Sequence, residues 1–593
     1  MNRKLKSILM LTLACCLISA HAQDSTVTMS KKKSTAKKEP TVSEQIQELR
    51  TEFQQKVDTL QQEIADRDAK LAAAQQTAAA AQQQAADASA KADTVSSSAD
   101  TDNASVSKLS SAVADLTLNS QSLAQTVQDN QKAVTAAINS PDTIHYKGVT
   151  ISPAGSFIEA ATVNRSAAIG DDINTHWTSI PLQYAQNAQL SEFYGSGRQS
   201  RIALKATGKL GNATLTGYYE MDWLGAGVTS NNNQSNSYVV RERQLWARAE
   251  MTNGWTAVGG AMWSLATETT QGMTNGSEIL PSTIDAAYEP GFVWTRQYGF
   301  RVYKNFNNKV WLGASAENAE MLNPAGTSLP TNYVFGVAGD TGGLYDNQSN
   351  YSFNKTPDFI VKAVFEPGWG HYELFSITRT FRDRIYTGLP YNDTEVGQGF
   401  GGGFRGSLDN KKVTIGLKGL IGQGMGRYGD STIADVTVKP SGILEPLKGF
   451  SALSTVEFNP NKKLTVYMNY GGDYISRDLT IPGGGYGAYA VNMSGCNTEV
   501  ATASSNITPS APANCGANTK DVQEGTIGYW YNFYNGPMGR FRQGIQYSYA
   551  VRNLWSGTGS ATAPSGVTGI ADPTGSAKGI DNMIFTSLRY YLP

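Results

Sequence analysis

The sequence predicts an all-β transmembrane barrel of sixteen antiparallel strands, preceded by an N-terminal α-helical coiled coil. Three observations carry this. Apolar and polar residues alternate at period two in runs from Val149 to the last residues of the chain. The connections between those runs are short and long in turn. Ahead of them, residues 42–139 carry apolar residues at heptad spacing.

The clearest stretch is 197–223, GRQSRIALKATGKLGNATLTGYYEMDW. Ile202, Leu204 and Ala206 share one parity, and Arg201, Lys205 and Thr207 share the other. After Gly208–Asn212 the alternation resumes, with Leu215, Tyr219 and Met221 set against Thr216, Glu220 and Asp222. Long charged side chains on one face and aliphatics on the other mean that each face has its own solvent. A barrel in lipid with a wet interior satisfies both. The mean hydropathy of −0.33 does not argue otherwise, because lumen-facing residues dilute the average. A net charge of −1 supplies no global field for nucleic acid.

Residues 1–22 read as a signal peptide. Arg3, Lys4 and Lys6 precede an apolar core, and Ala20-His21-Ala22 forms a small-residue cleavage site. Residues 23–41 form a basic segment without structure, centred on KKKSTAKK at 31–38. Two readings stand for it, a solvated leader into the helix and a contact with an anionic polymer such as peptidoglycan. In the coil, expected on the periplasmic side, Val106, Val113, Val127 and Val134 fall at a and Leu109, Leu116 and Leu123 at d. Ser120 is a polar a layer and Asn130 a polar d layer, which would set register and oligomer state. Val at a with Leu at d suits two strands. The Val127-Gln-Asp-Asn130 layers resemble those of trimeric autotransporter stalks and suit three. Pro141 ends the helix, and 140–148 reads as a linker into a barrel spanning 149–593.

The sixteen strands are expected near 149–163, 198–207, 213–223, 238–251, 255–263, 294–304, 309–317, 357–366, 370–381, 399–408, 411–421, 450–459, 463–475, 524–534, 539–552 and 580–592. The runs at 238–251 and 255–263 alternate poorly, which suggests bulges. One long connection, 476–523, holds Cys496 and Cys515, and in an exported protein they suggest one local disulfide. Inward parity marks Arg201, Lys205, Arg301, Lys362, Arg405, Lys418 and Arg542 as basic pore-lining residues, and Glu220 and Asp222 as acidic ones. Rings of Arg and Lys in a pore draw anions, unless the carboxylates neutralise them. Arg198, Arg241 and Arg296 have outward parity and are expected at rims or in a subunit interface.

Arg198-Gln-Ser-Arg201, Tyr219-Glu-Met-Asp222, Gly260-Ala-Met-Trp-Ser264 and Arg296-Gln297 before Phe300-Arg301 occur in an order that resembles the DcaP-like porins. That resemblance implies a homotrimer of sixteen-stranded outer-membrane channels with a coiled-coil arm, embedded in outer-membrane lipid. It also implies passage of small anionic solutes, dicarboxylates among them. The GGAMWS block and the terminal Pro593 depart from the family pattern and bear on the solute rather than the fold. No catalytic motif, metal spacing or cofactor loop is legible, and no cofactor is expected. A structural role for the arm, tying the outer membrane to the cell wall, is the alternative reading.

Overall fold

The alternating runs become staves that close on themselves. A computed structural model of the chain describes residues 75–88, most of 112–131, and 144–593 apart from 171, 226–237, 286–287, 338–350, 482–483, 494, 497–514 and 558–576. The chain divides into two compact units, Met1–Thr135 and Ala136–Pro593. In the first, residues 75–88 and 112–124 are helical. Leu116 and Leu123 stand more than 60% exposed, as seam positions do before they meet another helix. The leader, the 31–38 patch and Asn130 lie outside the described residues.

In the second unit the staves are β1 (Val149–Pro153 continuing as Phe157–Arg165), β2 (Glu192–Ser196 continuing as Arg201–Leu210), β3 (Ala213–Asp222), β4 (Arg241–Met251), β5 (Trp255–Trp263), β6 (Arg296–Phe306), β7 (Val310–Glu317) and β8 (Asp358–Phe365). They go on as β9 (Gly370–Ile385), β10 (Tyr391–Leu408), β11 (Val413–Gln423), β12 (Lys448–Phe458), β13 (Leu464–Ile475), β14 (Thr519–Gly536), β15 (Gly539–Leu554) and β16 (Lys578–Tyr591). Every stave pairs antiparallel with its sequence neighbours, and β16 closes the ring on β1 from Met583↔Arg165 to Tyr591↔Phe157. Sixteen strands is the width at which a barrel keeps an aqueous interior. Outward residues such as Phe300, Leu312, Val361, Leu374, Phe400, Ile421 and Met468 are exposed on the outer wall. Trp255, Phe306, Phe365, Trp369, Phe458 and Phe533 ring the short-turn end, where aromatic side chains suit a membrane interface.

Three details differ from the sequence reading. The first stave is broken at 154–156, where Gly155 takes φ +70°. There serine side chains replace ladder bonds: Ser156 Oγ accepts from Ala203 N at 2.9 Å, and Ser200 Oγ accepts from Glu159 N at 3.0 Å. The linker is not free chain throughout, since Ile144–Tyr146 folds back on Val149–Ile151. The connection after β9 is only 386–390, because β9 and β10 extend beyond their apolar outer faces with register unbroken from Gly370↔Gly406 to Ile385↔Tyr391. The bulge suggested for 238–251 is present: β3 and β4 slip between Glu220 and Met221, and Arg243 is the extra residue.

Candidate functional site

Loop 264–295, between β5 and β6, crosses the lumen. On one side Leu265 N donates to Glu317 Oε1 (2.7 Å), Lys362 Nζ donates to Thr267 O (2.8 Å), Lys418 Nζ donates to Ala266 O (2.5 Å) and Gly272 N donates to Glu366 Oε1 (2.9 Å). Arg405 grips Glu268 with two bonds, 2.7 and 3.1 Å. Farther along, Ile284 N donates to Gln546 Oε1 (2.7 Å), Trp530 Nε1 to Ser282 O (2.8 Å), Ser282 Oγ to Glu457 Oε1 (2.6 Å) and Gly291 N to Asp473 Oδ2 (3.1 Å). These partners come from β7 to β15, so the loop is fastened to most of the wall and narrows the channel. A buried loop survives only if its backbone polar groups find partners, and inward side chains supply them here.

The predicted residues therefore divide. Lys362 and Lys418 share Glu373, with Lys362 Nζ 2.6 Å from its Oε2, and both are buried. Arg301 is also buried and donates to Trp263 O. With Arg405, these four hold the loop and its neighbours rather than forming a basic ring open to solute. Glu220 meets Arg243 at 2.7 Å and Arg201 at 3.6 Å. Asp222 accepts two bonds from Arg241, 3.0 and 2.8 Å, and lies 3.3 Å from Arg243. The bulge explains why Arg241 faces in, against its predicted outward placement. Arg198 ties loops instead, 3.1 Å from Asp172 and bonded to Trp223 O. Arg296 lies against Trp263 and Trp294. Lys205 faces the lumen from β2, is exposed, and has no carboxylate within 4.0 Å among the described residues.

A second arrangement runs along β14, β15, β16, β1 and β2. Arg540 sits 4.0 Å from the Tyr591 ring centre, and Arg542 sits 4.8 Å from Tyr591 and 3.8 Å from Trp530. Arg589 lies 4.8 Å from Trp530 and 4.6 Å from Phe157, and Arg201 lies 5.1 Å from Phe157. Guanidinium and ring thus alternate as a ladder, each cation over a face with negative quadrupole. Arg589 pairs with Glu159 at 2.6 Å. Arg540 and Arg542 have no carboxylate within 4.0 Å among the described residues.

No family model matches the chain, and no curated protein sequence matches it. Among solved structures, the barrel superposes on the outer membrane channel DcaP of Acinetobacter baumannii with a TM-score of 0.50 at 13% identity, covering 76% of this chain and 99% of that one. The fold is that of a DcaP-like porin. Weaker likenesses include an anion-selective porin from Comamonas acidovorans (TM-score 0.36, 10% identity, 75% of this chain and 100% of that one) and OprB of Pseudomonas putida (0.37, 12%, 74% and 94%).

Within this DcaP-like barrel, sequence reasoning missed Arg243, Arg379, Arg540 and Arg589. Arg589 and Arg540 carry inward parity and were legible as Arg-x-Tyr and Arg-x-Arg runs. Arg379 also has inward parity and is buried between Asp358 (3.2 Å) and Asp435 (2.7 Å). Arg243 has outward parity in an unbroken strand, and only the bulge turns it inward. Cys496 and Cys515 are bonded, with Cα atoms 4.6 Å apart. Ser120 is exposed on the 112–124 helix, as nearly all of that helix is.

Proposed function

We propose that the protein is an outer-membrane porin through which small hydrophilic solutes diffuse passively, with a preference for anions of the dicarboxylate type. The observation that carries this is the ladder Arg540–Tyr591–Arg542–Trp530–Arg589–Phe157–Arg201 beside a loop that narrows the lumen. Aromatic faces hold Arg540 and Arg542 in place without neutralising them, so the charge of these two acts on what passes, whereas Arg589 and Arg201 are paired with Glu159 and Glu220. Arg also offers paired N–H donors that match a carboxylate.

A homotrimer is part of the same reading. The outer face of β15, β16 and β1 carries polar side chains, Gln543, Asn164 and the mutually bonded Thr162 and Thr586 (2.7 Å), where a lipid-facing wall carries apolar ones, and a neighbouring barrel can cover them. The exposed Leu116 and Leu123 fit the same assembly through a coil on the periplasmic side.

The test is the reversal potential of the purified protein in a planar bilayer under a salt gradient. The reading expects anion preference that falls in Arg540→Gln/Arg542→Gln while conductance persists. A cation-selective channel would remove the solute claim and keep the porin, whereas absence of any conductance would remove both.

A further inference from the structure

The hairpin of β9 and β10 sets two aspartates directly opposite each other. Asp383 pairs with Asp393 in the register, and both face inward. Carboxylates facing across an antiparallel pair have Cβ atoms about 4.5–5.5 Å apart and repel. Asp383 is 1% exposed, and neither of its side-chain oxygens has a hydrogen-bond partner; Asp393 Oδ2 has none either. Glu395, two residues along the same inward face, adds a third negative charge.

Among the described residues no Lys or Arg forms an ion pair with Asp383 or Asp393, and the cation that acts on Glu395 is Lys439. Lys439 is engaged by Glu445. Arg384 donates to Asn392 at 3.0 Å, and with Arg382 it belongs to the opposite parity of the strand. The barrel residues outside the description contain no Lys or Arg. Beneath the pair lies an apolar cluster of Phe381, Met321, Val436, Val438 and Leu444, a low-dielectric floor that strengthens the repulsion. Yet the register runs unbroken through Asp383 and Asp393 to the hairpin tip.

We propose that Asp383 and Asp393, with Glu395 behind them, bind a divalent cation of the calcium type at the long-loop end of the barrel. Orphaned, buried carboxylate oxygens are hard donors, which suit Ca²⁺ over softer metals. No three metal-ligating side chains converge among the described residues. The ion therefore takes the aspartates as its protein carboxylates and completes its shell with carbonyl oxygen and water, as Ca²⁺ readily does. Its charge removes the repulsion that β9 and β10 otherwise carry, so the site ties the hairpin to its register. The affinity expected is that of an extracellular module, with a dissociation constant of about 10⁻⁴–10⁻³ M.

The experiment uses the full chain in detergent after exhaustive EDTA dialysis, titrated with CaCl₂ by calorimetry and melted with and without excess CaCl₂. The proposal expects one saturable site per chain and a melting temperature raised by CaCl₂. Asp383→Asn and Asp393→Asn each lose both responses, yet melt in EDTA no lower than the native protein, because each removes the repulsion without removing a bond. Binding retained in either variant, or no saturable binding in the native protein, overturns it. So does a native melting temperature that falls from pH 5 to pH 8 in EDTA and is not restored by CaCl₂, since the pair then shares a proton rather than an ion.

Discussion

Arg405 on β10 and Glu268 on the constriction loop form a two-pronged ion pair, Nε–Oε1 2.7 Å and Nη2–Oε2 3.1 Å, across 137 residues of sequence. Both side chains are largely shielded, at 15% and 6% exposure. Glu268→Gln keeps the shape and removes the charge. It is expected to cost about 1.5–3 kcal/mol, the range for a hydrogen bond to a charged group. The loop then fluctuates more, so single-channel current noise rises. A double-mutant cycle with Arg405→Gln should return a coupling of the same order; additivity of the two variants would show that the pair does not hold the loop.

The inward face of β10 is a glycine strip, Gly397, Gly399, Gly401 and Gly403. A Cβ on Gly401 would overlap the Phe375 ring, the ring that also faces Lys418 at 5.1 Å. Overpacking of this kind costs about 1–3 kcal/mol. Gly401→Ala is therefore expected to lower the temperature at which the folded barrel loses its fast mobility on a gel. Gly419→Ala, whose nearest atom outside the local chain is Ser451 O at 3.3 Å, should leave it nearly unchanged.

Loop residues Asp285 and Glu289 lie among Glu524, Asp430 and Asp473. Burial raises Asp285 to about 7 and Glu289 well above the ordinary carboxylate range. A carboxyl whose value is raised in the packed state favours that state fully below its unfolded value of about 4. The advantage fades as pH rises towards 7. Conductance is expected to grow between pH 5 and pH 8 as the loop loosens, and Asp285→Asn/Glu289→Gln should flatten the curve. A native conductance that falls over this interval would contradict the assignment.

The Cys496–Cys515 bond closes a 19-residue separation in the connection after β13. Its loss should release that loop and leave the ring of staves intact. Cys496→Ser/Cys515→Ser is expected to be cleaved faster by chymotrypsin at the exposed Tyr489 of that connection, while the barrel's thermal transition stays in place. A large fall in that transition would mean the loop supports the wall.

Much of the wall was legible because a stave's two faces meet different solvents. Leu215 and Tyr219 must look outward and Thr216 and Glu220 inward, whatever the neighbours are. Short turns such as Gly211-Asn212 follow from the same tilt and closure, and the positions of most staves could be read to within a few residues. The exceptions are local substitutions of one polar partner for another. Ser156 and Ser200 stand in for ladder bonds at the break in β1, and Arg243 is absorbed by a bulge.

By itself the sequence determined the closed antiparallel barrel, the inward basic residues of its unbroken staves and its disulfide, because period-two alternation and loop length are properties of consecutive residues. Only the tertiary structure decided what those basic residues do. Whether Lys418 faces a solute or the carbonyl of Ala266, and whether Arg542 meets a carboxylate or the Trp530 ring, depends on which groups lie across the lumen. Those distances are set by the closure of sixteen staves and the path of one loop, and no local pattern encodes them.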